Sequence, residues 1–145
     1  MAHPTASKIE MAVAPSGITD GATSTANIDC RGVDYAIVSL NFAAEEGTDS
    51  GSHTVSLLHC DTTVVTSFAT ITANQTVDLA SAHGLTYFVD MRAKKRYLRL
   101  SVTASTSTGS NMTYSATAVL LRDDTAPAST SGNIASTNDT AVQVT

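Results

Sequence analysis

The sequence has no tryptophan, and only 5% of its residues are aromatic. Charged residues make up 14%, and the formal net charge is -5. Charge this sparse, beside abundant Thr, Ser, Ala and Val, excludes a helical bundle rich in Leu, Glu and Lys. It suits strands with small, hydroxyl-bearing outer faces. The low aromatic count leaves no evident platform for stacking a sugar. No apolar run approaches the roughly 18 residues of a membrane span, so no membrane partner is expected.

Cysteine is scarce as well. Cys30 and Cys60 are the only two, with no C-x-x-C or H-x-x-x-H spacing around them. Zinc needs three or four converging ligands, so neither a metal nor another cofactor is expected. The segment Met1–Lys8 lacks the apolar core of a secretory signal, and free thiols are expected rather than a disulfide. The sequons at Asn74, Asn111 and Asn138 then reflect only the frequency of Asn and Thr. Ser, His and Asp occur without a G-x-S-x-G elbow or other nucleophile context, so the chain is not expected to be an enzyme.

What is present is a period of two, the mark of a strand with one buried face. It is clearest where Ala36, Val38, Leu40 and Phe42 alternate with Ser39 and Asn41, and Tyr35 falls on the polar side. It recurs at Val55 and Leu57, at Leu85, Tyr87, Val89 and Met91, at Leu98, Leu100 and Val102, and from Met112 to Leu120. Ile9, Met11 and Val13 suggest a short strand closed by Pro15-Ser16-Gly17. Weaker strands are read near residues 23–29 and 76–79, and Val64–Ala73 is β-rich with mixed alternation. Glu45–Ser52, His83-Gly84 and Thr106–Asn111 read as loops. Strands at roughly ten-residue spacing predict an all-β fold, an antiparallel β-sandwich or jelly roll. Residues 9–122 form that domain, with an N-terminal arm at 1–8 and an extended C-terminal tail at 123–145. The tail is rich in Ser, Thr, Ala and Asn, with Ile134, Val142 and Val144 as its apolar residues to bury.

Four stretches carry a resemblance. They are Ile28–Asp34 with its Asp29-Cys30-Arg31-Gly32-Val33-Asp34 turn, Ser52–Asp61, Lys95–Thr103 with its Lys-Arg-Tyr-x-Arg pattern, and Tyr114–Leu121. Together they resemble a family of small virion proteins of tailed bacteriophages, over roughly residues 25–122. The chain departs from that pattern at His59-Cys60-Asp61-Thr62, where the family carries Ser or Glu followed by paired Asp. The resemblance implies a non-enzymatic decoration, or cement, protein on the outer surface of a phage head. Such proteins are β-sandwiches, often homotrimers, and their partner is the major capsid protein. The implied location is the virion, after synthesis in the bacterial cytoplasm.

The candidate contact residues follow from charge and composition. Arg92, Lys94, Lys95, Arg96 and Arg99 are five of the eight basic residues. They suit docking on an acidic protein surface, or stand as charges that keep an apolar strand soluble. Nucleic acid is not the expected partner, because the protein is acidic overall and only Tyr97 lies nearby to stack. Ile134, Val142 and Val144 are the contact candidates of the tail, which can add a strand to a neighbour. Neither His59-Cys60-Asp61 nor the acidic Glu45, Glu46 and Asp49 is read as metal-binding: one of His59 and Cys60 is expected to pack inward and the other to face solvent, and the acidic loop to be solvated. The alternatives to a cement role are a receptor- or glycan-binding module and a tail or neck subunit.

Overall fold

The computed structural model describes residues 7–44, 52–79, 82–106, 111–122 and 140–144. Ten strands follow in chain order: β1 (Ser7–Ile18), β2 (Thr23–Asp29), β3 (Tyr35–Phe42), β4 (Ser52–Cys60), β5 (Ala69–Thr70), β6 (Gln75–Asp78), β7 (His83–Asp90), β8 (Tyr97–Thr103), β9 (Met112–Leu121) and β10 (Thr140–Val144). Sheet A runs β1-β9-β3-β7-β10, and sheet B runs β2-β8-β4-β5, with β6 also paired to β4. The two sheets pack face to face, giving the all-β sandwich that the alternation predicts. Every pairing is antiparallel except that of β10 with β7, which is parallel.

The core lies between the sheets and follows the period of two. Ala36, Val38 and Leu40 of β3 sit level with Val89, Tyr87 and Leu85 of β7, and all six are buried. Sheet B answers with Leu98, Leu100 and Val102 of β8 and with Val55 and Leu57 of β4. Large rings sit among small side chains. Tyr114 stacks on Phe42 with centroids 5.9 Å apart, and Ala116 and Ala118 of the same strand leave room beside it. Tyr114 Oη reaches the other sheet and donates to Ser24 Oγ at 2.8 Å.

Several local expectations change. β1 does not end at Pro15 but continues to Ile18, with register shifts between Met11 and Val13 and between Val13 and Ser16. An edge strand tolerates Pro at such an irregularity, because no inner partner needs its missing N–H. Each extra residue also reverses the faces. Ile9 pairs with Val119 on the outer face, and Val13 pairs with Ala116 on the inner one. Residues 23–29 form a full strand, and residues 64–73 do not. The latter hold a 3₁₀ turn, Val65–Ser67, and the two-residue β5. Residues 1–6, most of the Glu45–Ser52 loop and residues 123–139, Ile134 among them, lie outside the described residues.

Candidate functional site

Three connections meet at one end of the sandwich: the β2–β3 turn, the β7–β8 connection and the residue after β9. Backbone bonds tie them together. Met91 N–H donates to Asp34 O at 2.8 Å, Asp34 N–H to Leu121 O at 2.9 Å, and Cys30 N–H to Arg96 O at 2.9 Å. Gly32 sits at φ +69 in the first turn, where Arg122 Nε donates to its carbonyl. Glycine suits that position because a left-handed backbone crowds any Cβ.

Most of the basic residues gather here, each with a defined partner. Arg92 lies in the 3₁₀ turn Met91–Ala93. Its N–H and Nε donate to Asp90 Oδ1 at 3.0 and 2.9 Å, and its Nη2 donates to Oδ2 at 2.6 Å. The same guanidinium stands 4.9 Å from the centre of the Tyr35 ring. This explains why Tyr35, on the outward side of β3, is nevertheless buried. Arg96 makes a two-pronged bond to Asp29, Nε to Oδ1 at 2.9 Å and Nη2 to Oδ2 at 2.6 Å, and lies over Tyr97. Lys95 Nζ stands 3.6 Å from Asp61. These cations hold the Asp29 and Asp90 carboxyls below the usual range, the bonded arginine being the main cause in each case.

Arg99 belongs to a different environment. It lies on the outer face of sheet B but is only 7% exposed. Nε donates to Asn27 Oδ1 at 2.8 Å and Nη2 to Thr63 O at 3.5 Å, and the guanidinium stacks 3.8 Å from the Phe68 ring centre. The irregular stretch after β4 therefore folds over Arg99. Arg92, Lys95 and Arg96 are exposed, and Lys94 is half-buried.

The turn at His59-Cys60-Asp61 is part of the same end. His59 Nδ1 accepts from Lys95 N–H at 3.2 Å. Burial and the nearby Lys95 and Lys94 push its pKa below the ordinary histidine value. Cys60 is free and sits against Thr62, whose N–H lowers its thiol pKa. Cys30 is free within the core, where burial pushes its pKa up to about 12. Among the described residues, no three His, Cys, Asp or Glu side chains converge to hold a metal.

A second feature was not read from the sequence. The outer face of sheet A carries an apolar row across four strands: Ile9 pairs with Val119, Val119 with Ile37, and Ile37 with Phe88. Ile9 is 73% exposed, and the other three are half-buried. The row lies two residues along the strands from Tyr35 and Leu121, so it adjoins the end that carries Arg92. The missed signal was the shift in β1, which turns Ile9 outward. Val142 and Val144 of the tail lie on β10, level with Tyr87 and Val89 of β7. Val144 enters the core, and Val142 packs at its margin.

No protein-family model matches the chain, and no curated protein matches it. Among solved structures it is similar to a chain in the "Structure of infectious bursal disease virus Gx strain", with a TM-score of 0.47 and 18% identity. The alignment covers 86% of this chain and 35% of that one, so the present chain spans about a third of that neighbour's length.

Proposed function

We propose that the chain is a non-enzymatic virion structural protein, a decoration protein that binds the outer surface of a phage head and strengthens contacts between capsomers. The observation that carries this reading is the apolar row Ile9–Val119–Ile37–Phe88 running into a charged end built from Arg92, Lys94 and Lys95. A partly exposed apolar strip beside polar residues is the composition of a protein-docking surface. The resemblance supports the same reading in a specific way. Its two most distinctive motifs, the Asp29–Asp34 turn and the Lys95–Thr103 strand, are joined by the Arg96–Asp29 bond into one structural unit.

The mechanism is mechanical. A body that binds only the closed lattice stabilises it by mass action, and symmetry multiplies weak contacts into avidity. The charges contribute register and encounter rate more than affinity, because most of them already have a carboxylate partner. The glycan-binding alternative draws less support. Tyr35, Tyr87 and Tyr114 are buried, and Arg96 covers the ring of half-buried Tyr97.

The test adds the purified protein to phage heads that lack it. Co-sedimentation, with heads that open at a higher temperature, is expected. Heads that bind none of the protein and open at an unchanged temperature overturn the reading.

A further inference from the structure

We propose that the edge of β7 that β10 covers is a strand-acceptor site whose occupant in the assembled protein is the C-terminal strand, Thr140–Val144, of a second copy. The proposal rests on the structural reading above and assigns the contact that joins the subunits.

The strand is built as a detachable part. β10 stands at the end of sheet A, and among the described residues its one strand partner is β7. The pairing covers five residues, from Thr140 opposite Leu85 to Val144 opposite Val89. Two side chains spaced two apart make the seat. Val144 is 3% exposed and joins the core, and Val142 packs beside it. This is strand addition in its simplest form, with backbone bonds along an edge and alternate side chains in pockets. None of these contacts depends on which copy supplies the strand, so exchange between identical chains costs little.

The route between β9 and β10 favours exchange. β9 and β7 run parallel, both antiparallel to β3, and β10 is parallel to β7. A chain filling its own edge must return from the Leu121 end to the Leu85 end and step over β3 and β7, a span of roughly 22 Å. Sheet B fills the inner face, and a direct return over the outer face of sheet A would cross the Ile37–Phe88 row. Residues 123–139 match such a face poorly, because Ile134 is their only large apolar side chain. Their contour length, up to roughly 60 Å extended, also reaches a neighbouring body. When each copy passes its strand to the next, the ring closes, every β7 edge is filled, and the apolar row stays free for a partner.

The experiment uses full-length protein without heads. One tagged chain carries Thr86→Cys and a second, differently tagged chain carries Ala141→Cys. These positions are register partners across the β7–β10 pair. The two chains are co-expressed and oxidised, and the linked peptides are identified by mass. A disulfide joining the two chains through residues 86 and 141 is expected. The chain carrying both substitutions should then link into multimers. Closure of that double variant within single chains, with no link between the two tagged chains, overturns the proposal. A second measurement guards against a cysteine variant that folds poorly. Light scattering on the chain ending at residue 139 should show a smaller particle than the full chain, and an unchanged oligomer counts against exchange. A cross-linked protein that fails to bind heads leaves the exchange standing and removes the decoration role.

Discussion

Arg96 and Asp29 lie 67 positions apart in the chain and meet through two parallel hydrogen bonds. The bond fastens the start of β8 to the end of β2, beside the β2–β3 turn. Asp29 Oδ1 also accepts from Arg31 N–H at 3.1 Å, so one carboxylate orders both the turn and the strand. Part of the basic segment therefore acts inside the molecule as a clamp.

That clamp has a pH signature. The folded carboxyl titrates below its ordinary value of 3.8, so its contribution is fully present above that value and is lost as the pH falls through the folded pKa. Asp29→Asn should lower the melting temperature near neutral pH. The difference from the wild type should shrink as the pH drops below 3.8, and also in high salt. Melting curves across that range check both. A difference that stays constant in acid would exclude the clamp as its source.

Arg99 should behave as a buried structural residue. Arg99→Ala removes the hydrogen bonds to Asn27 and Thr63 and the contact with the Phe68 ring, at a cost of about 2–3 kcal/mol. Arg99→Lys should rescue little, because an ammonium cannot both stack on Phe68 and reach two acceptors. Urea denaturation measures each variant.

Two tyrosines of one core should respond oppositely to loss of the hydroxyl. Tyr114 Oη is bonded to Ser24, so Tyr114→Phe should cost about 0.5–1.5 kcal/mol. Tyr87 Oη is buried with no hydrogen-bond partner among the described residues, and burial alone raises its pKa. Tyr87→Phe removes an uncompensated desolvation and should leave stability unchanged or raised by about 1 kcal/mol. Equal losses in the two variants would contradict the assignment.

Gly32 should not accept a side chain. At φ +69 a Cβ is strained and would meet the Arg122 guanidinium. Gly32→Ala should destabilise by about 1–2 kcal/mol from the backbone alone. The further steric part should disappear when Arg122→Ala is introduced beside it, which a double-mutant cycle reads directly.

Ile9 separates docking from folding. Ile9→Lys at a position 73% exposed should change stability by no more than about 0.5 kcal/mol. On the proposed reading, the same variant should bind phage heads more weakly in co-sedimentation. Full binding by a well-folded Ile9→Lys protein would move the docking surface away from the apolar row.

The sequence by itself determined which side chains of the long strands face inward. Alternation at Ala36–Phe42, Leu85–Val89, Leu98–Val102 and Met112–Leu120 is local information, and burial of one face follows from it without knowledge of the neighbour. It also marked the turn at Gly32, because turn chemistry is local too, whereas His83-Gly84, read as a loop, opens β7. Only the tertiary structure decided who meets whom. Alternation fixes a face and leaves the partner open, so the Arg96–Asp29 bond and the parallel seat of β10 on β7 could not be read along the chain. Arg99 and Tyr35 show the same limit. Both lie on the outward side of their strands, as their period demands, and both are buried because a distant segment folds over them. Ile9 is the converse case. It sits in an apolar alternation yet faces outward, because the one-residue shift between Met11 and Val13 reverses the faces along an edge strand paired to β9.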